Sequence, residues 1–151
     1  MRLLLIAYGN PYRQDDGIGH YVVQKAEISA QKLFLQELSL DLLEELALCD
    51  CAVFVDAALE GEEVRVREIF PENKPSFLSH HLLPEQFLFW LEELYHRRPR
   101  AFLLSLRGYN FDFGEGLSPE ALASAEKGIK ILENLIREVQ EREEENERPQ
   151  N

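Results

Sequence analysis

The sequence predicts an α/β fold: a three-layer sandwich in which a mostly parallel, twisted sheet of about five strands carries helices on both faces. Three observations predict it. First, Leu3 to Ala7, Asp50 to Ala58 and Ala101 to Leu106 are apolar runs rather than alternating ones. Such runs mark strands buried on both faces. Second, segments with helical periodicity separate them, the arrangement that crossover connections between parallel strands require. Third, the character of the chain changes abruptly after the first run. Gly9, Asn10 and Pro11 are turn residues, and Asp15, Asp16, Gly17 and Gly19 follow before a helix. A buried strand that ends in a loop and feeds a helix is where open α/β sheets place their sites.

The elements follow in order. Helix 1 is expected over about Asp16 to Ser29, with Ile18, Tyr21, Val22 and Ala26 on one face. Leu33 to Leu38 reads as the second strand. Ser39 is placed to cap a helix over Leu40 to Leu48, with Leu42, Leu43 and Leu46 inward. Asp50 to Ala58 is the third strand and ends in Asp56. Glu63 to Phe70 alternates Val64, Val66 and Phe70 with Arg65 and Arg67, and Ile69 falls out of phase. Alternation of that kind suits an edge strand, antiparallel to its neighbour.

A loop then leads to His80, His81 and Pro84. Pro84 fits the first turn of a helix over about Glu85 to Arg97, with Phe87, Trp90, Leu91 and Leu94 on one face. After the strand Ala101 to Leu106 comes a glycine- and aromatic-rich loop, Arg107 to Leu117. Ser118 caps the last helix and Pro119 opens it. Leu122, Ala125, Ile129, Leu132, Ile136 and Val139 form its inward stripe. Residues 1–140 make one domain. Residues 138–151 hold six Glu and two Arg without apolar periodicity, so residues 141–151 are expected to be an acidic, disordered tail.

Composition excludes several classes. A net charge of −12 argues against nucleic-acid binding, because phosphates would be repelled. No stretch approaches the roughly 20 apolar residues of a membrane span. Residues 1–8 lead directly into strand-like sequence rather than a signal peptide, so a cytoplasmic location is expected. Cys49 and Cys51 are too close for an ordinary disulfide and match no zinc or redox spacing; they read as buried thiols. There is no Gly-x-Ser-x-Gly, no dinucleotide fingerprint and no P-loop lysine.

Polar residues fall where a site should be in three places: Asp15 and Asp16 after the first strand, Asp56 after the third, and His80 and His81 before the third helix. If the first and third strands are neighbours, Asp16 and Asp56 meet at the carboxyl edge of the sheet, within reach of a histidine from the later loop. Two carboxylates and an imidazole suit a divalent ion such as zinc, nickel or manganese. Each also has a plainer role. Asp15 or Asp16 fits a helix cap, Asp56 fits a strand end, and a loop histidine pair fits solvent.

Gly9-Asn10 followed by Asp15-Asp16-Gly17-Ile18-Gly19, then Phe54-Val55-Asp56-Ala57, then Ser79-His80-His81-Leu82-Leu83-Pro84, then Gly108-Tyr109 and Gly114-Glu115-Gly116-Leu117-Ser118-Pro119, resembles in that order the hydrogenase maturation protease family. These are endopeptidases that trim the C-terminus of the large subunit of nickel–iron hydrogenases. The resemblance spans nearly the whole chain. It implies a twisted sheet with helices on both faces and an aspartyl-type endopeptidase activity.

By the same resemblance the metal-binding residues are Asp16, Asp56 and His80, with His81 the alternative to His80. Asp16 or Asp15 would act as the catalytic base, and Asn10 and Ser39 would touch the substrate. Nickel would belong to the precursor and be sensed there, with zinc or cadmium able to stand in for it in crystals; no tightly bound cofactor is expected. The implied partner is the large-subunit precursor, met by a monomer. One departure stands out: where many members carry a Gly-Gly-Thr-rich stretch, this chain reads Glu37-Leu38-Ser39-Leu40-Asp41-Leu42. A non-catalytic, metal-responsive module holding the same precursor is the alternative reading.

Overall fold

The computed structural model describes residues 1–72 and 83–147. Among these, five strands form one sheet: β1 (Leu3–Tyr8), β2 (Gln31–Leu35), β3 (Cys51–Ala58), β4 (Val64–Ile69) and β5 (Arg100–Arg107). The helices are α1 (Ile18–Lys25), α2 (Leu42–Ala47), α3 (Pro84–Tyr95) and α4 (Pro119–Glu147). The strand order is β2-β1-β3-β5-β4. All pairs are parallel except β4 with β5, so the alternating segment is the antiparallel edge strand, as its pattern predicts.

Side chains alternate across the strands and build two cores. Leu3, Leu5 and Ala7 of β1, Val53 and Val55 of β3, and Leu104 and Leu106 of β5 pack against α1 and α4. Leu4 and Ile6, Ala52 and Phe54, and Ala101 pack on the other face, against α2 and α3. The result is the three-layer sandwich with helices on both faces. Among the described residues no helix is long and apolar enough to cross a membrane.

Several boundaries and faces differ from expectation. Asp15 and Asp16 lie in a short 3-10 turn, Gln14–Gly17, that precedes α1. That helix ends at Lys25 because Ala26 is already extended, and the Lys32 ammonium takes the Ala26 carbonyl. The second strand starts and stops earlier than predicted, at Gln31 and Leu35. Ser39 does not cap α2 with its side chain; the N-cap position falls on Asp41. In β4 the out-of-phase Ile69 is the buried residue, packed into the α2–α3 core, whereas Val66 and Phe70 are exposed on the edge strand.

In α3, Leu88 is buried and Leu94 is exposed. In α4, Ala121, Ser124 and Gly128 share the buried stripe with Ala125, Leu132, Ile136 and Val139, while Leu122 turns outward. Small residues are needed there, since a Cβ on Gly128 would collide with Leu106. Helix α4 also continues to Glu147, seven residues into the segment expected to be a disordered tail. Residues 141–147 are all exposed, yet Glu and Arg have high helix propensity and extend a helix already nucleated by its packed part.

Candidate active site

Strand β1 pairs with β2 on one side and β3 on the other. The chain therefore reverses its winding direction beside β1, and a crevice opens at the carboxyl ends of β1 and β3, the position where open α/β sheets bind ligands. Ala7 is in register with Val55, so the next residues along, Tyr8 and Asp56, stand side by side on the α2–α3 face. Gly9 then turns the chain with φ +134°, a left-handed conformation that favours glycine. A Cβ at Gly9 would strike the backbone carbonyl of Asp16. The turn is thus folded directly against the acidic pair. On the other side, the close approach of Gly19 to the Val55 carbonyl seats α1 on the end of β3, beside Asp56.

The two adjacent aspartates have opposite fates. Asp15 is fully buried. Its carboxylate accepts the N–H groups of Tyr109, Asn110 and Ser118, each at 2.8 Å, and the Ser118 hydroxyl at 2.7 Å. Burial alone would raise its pKa. The hydrogen bonds from Ser118, Tyr109 and Asn110 outweigh burial and hold Asp15 below the ordinary carboxylate value. Four donors of the chain itself meet its two oxygens, so it laces the 109–118 loop to the β1–α1 loop. Asp16 has different surroundings. It is half-buried, and one oxygen accepts the Asn10 N–H at 2.7 Å.

Asp56 completes the pair. It is half-buried at the end of β3 and accepts the Ala57 N–H at 2.7 Å. Burial pushes its pKa up to about 7; hydrogen bonds from Ala57 and the Tyr8 hydroxyl pull it down, and the nearby charge of Asp16 adds to the rise. Burial, followed by the charge of Asp56, raises the Tyr8 phenol in turn, so Tyr8 remains a donor. The Arg67–Glu85 ion pair, 3.3 Å long, lies within electrostatic reach of the same phenol.

The fold therefore sets Asp16 within electrostatic reach of Asp56, while the oxygens of Asp15 are taken up by the 109–118 loop. The Asn10 side chain is also committed locally: its oxygen accepts the Tyr12 N–H at 2.9 Å, closing an Asx turn. Ser39 is exposed in the loop after β2, one strand away from β1, and its carbonyl accepts the Leu42 N–H. His80 and His81 lie outside the described residues. Among the described residues no three His, Cys, Asp or Glu side chains converge as a metal-holding group. The described part of the site supplies two carboxylates, hard oxygen donors suited to a divalent ion only with further ligands. Cys49 and Cys51 are buried free thiols away from this edge, near the start of β3.

Tyr8 escaped the sequence reading. It ends an apolar run and looks like one more core residue. Its signal was positional, the last residue before the Gly9 turn, and it becomes visible only when register sets it beside Asp56.

No protein-family model matches the chain, and no curated protein sequence matches it. Solved structures do. The hydrogenase maturating endopeptidase HybD from E. coli superposes with a TM-score of 0.71 at 20% identity, covering 92% of this chain and 94% of that one. The [NiFe] hydrogenase maturation protease HybD from Thermococcus kodakarensis gives 0.63 at 24% identity, with 89% and 99% covered. The [NiFe] hydrogenase maturation protease HycI from Thermococcus kodakarensis KOD1 gives 0.65 at 21% identity, with 90% and 92% covered. The chain has the fold of these proteins along nearly its full described length.

Proposed function

We propose that this chain is an endopeptidase that removes the C-terminal peptide of a nickel-loaded hydrogenase large-subunit precursor. The observation that carries the reading is the meeting of Asp16 and Asp56 at the switch point between β1 and β3, in the fold shared with three structures named as hydrogenase maturation endopeptidases or proteases.

In this reading the nickel arrives with the substrate. Asp16 and Asp56 offer it oxygen ligands, and His80, or His81 in its place, adds an imidazole. Docking through the metal sets the peptide bond beside the carboxylates. Hydrolysis then needs a water aimed at the carbonyl and a group to take its proton. Asp16 and Asp56 are the candidates, and positioned general bases contribute about 10²–10⁴-fold. Asp15 takes no part in proton transfer, because its oxygens are buried under four donors. Tyr8 keeps Asp56 in orientation.

The test is the mass of the large subunit's C-terminus after incubation with the protein. Nickel-loaded precursor should be shortened by the wild type and left intact by Asp16→Asn and Asp56→Asn, both folded. Full processing by both variants overturns the reading. Tight binding without cutting by the wild type would replace it with the non-catalytic module.

A further inference from the structure

We propose, resting on the peptidase reading, that Ser105 is a further substrate-contacting residue. Its hydroxyl donates to the carbonyl oxygen of the scissile bond and stabilises the charge that grows there during hydrolysis.

Strand register carries the placement. Asp56 and Ser105 are paired residues of β3 and β5. Paired residues of neighbouring strands lie about 5 Å apart and project from the same face. That face is the α2–α3 one, because Phe54, two residues before Asp56, and Leu103, two before Ser105, both pack there. Tyr8 flanks Asp56 from β1 and gives it a hydrogen bond from its hydroxyl. Ser105 flanks it from β5, at the same level of the carboxyl edge. Asp56 therefore stands between two hydroxyls, one from each neighbouring strand. They differ in what they have left to give. The Tyr8 proton is spent on Asp56. Among the described residues no acceptor holds the Ser105 proton, and Ser105 is only half-buried.

The chemistry asks for such a donor. When water adds to a peptide carbonyl, the carbonyl oxygen becomes anionic. Ionised Asp16 and Asp56 accept hydrogen bonds but donate none, and their charge opposes a further anion beside them. A neutral hydroxyl fixed on a strand offsets this, and fixed donors of that kind supply a large share of many rate enhancements. The cations of this edge are engaged or lie further out. Arg67 pairs with Glu85, and Arg107 donates to the Gly61 carbonyl and lies 5.0 Å from the centre of the Tyr109 ring. Arg65 continues the row onto β4, exposed and one strand beyond Ser105. In this role Ser105 forms no covalent bond: water is the nucleophile, and a carboxylate takes its proton.

The experiment uses the full chain and purified nickel-loaded large-subunit precursor, with the mass of the large subunit's C-terminus as readout. Ser105→Thr and Ser105→Val have the same shape and differ in the hydroxyl, so a packing defect would affect both alike. Ser105→Val should lose about 10²–10³-fold in kcat with KM nearly unchanged, and Ser105→Thr should stay within several-fold of the wild type. If neither branched residue folds, Ser105→Ala takes the place of Ser105→Val against the wild type. Wild-type kcat in the variant without the hydroxyl overturns the role of Ser105 and leaves the peptidase intact. So does a loss confined to KM, or an equal loss in folded Ser105→Thr. A wild type that never cuts overturns the peptidase reading and this role with it.

Discussion

The carboxylate of Asp15 receives both the backbone N–H and the hydroxyl of Ser118, at 2.8 and 2.7 Å, across 103 residues of sequence. Ser118 meanwhile uses the same hydroxyl oxygen to accept the Ala121 N–H at 3.2 Å and so caps α4. One serine thus ties the first loop of the chain to the start of its last helix. Asp15→Ala would leave the N–H groups of Tyr109, Asn110 and Ser118 without an acceptor in a water-poor spot. A stability loss of about 3 kcal/mol or more is expected, read as a drop in the urea midpoint. Ser118→Ala should cost about 1–2 kcal/mol, since it removes the hydroxyl bond and the cap but leaves three donors in place.

The two shifted aspartates give opposite pH signatures. The folded-state pKa of Asp15 is depressed, so its contribution is present above the unfolded value of about 3.9 and disappears as pH falls through the folded one. Asp56 is raised to about 7, so the folded state is favoured while Asp56 keeps its proton. That advantage is complete below the unfolded pKa and is lost as pH rises through about 7. In the metal-free protein Asp56→Asn should therefore raise the melting temperature at pH 8, by about 1–3 kcal/mol of stability, and lose that benefit near pH 4. Melting curves of the two proteins at both pH values check the sign.

Gly9→Ala should damage the site more than the fold. The added Cβ would strike the Asp16 carbonyl, at a φ of +134° that alanine resists. Relief requires the turn to move, and with it the N–H of Asn10 that holds Asp16. The expected outcome is a folded protein, destabilised by about 1–3 kcal/mol, with little or no processing of precursor. Circular dichroism beside the processing assay separates the two effects.

The cysteines should be inert in the folded protein. Burial, followed by the charges of Cys51 and Asp50, pushes the Cys49 thiol up to about 12; burial also pushes Cys51 up to about 11, against a lowering from Arg100. The thiolate is the reactive form, so iodoacetamide at pH 8 should leave both unmodified, and unfolding in urea should expose both. Mass spectrometry counts the adducts. Rapid alkylation of the native chain would contradict this burial.

Truncation after Gln140 should leave the melting temperature nearly unchanged. Residues 141–147 are helical yet fully on the surface, and the last buried residue of α4 is Val139. A large loss would mean that these last two turns of helix carry more than their exposure suggests.

The sequence by itself determined the layered architecture and the place of the candidate site. Continuous apolar runs can be buried only between two helical layers, and the Gly-Asn-Pro turn with its acidic pair can only follow the first of them. Even the edge strand was legible, because alternation needs no knowledge of neighbours. Tertiary structure alone set the surroundings of Asp15 apart from those of Asp16. Adjacent residues of identical type differ only in what faces them. Asp15 meets three backbone N–H groups and a hydroxyl from a loop more than ninety residues away, whereas Asp16 meets the Gly9 turn and the end of β3. Register did the same for Tyr8 and Asp56, and packing against β5 for Ile69. Burial and hydrogen bonding between distant segments are properties of the folded chain, and they made one of two equal carboxylates a buried brace and left the other half-exposed beside the Gly9 turn.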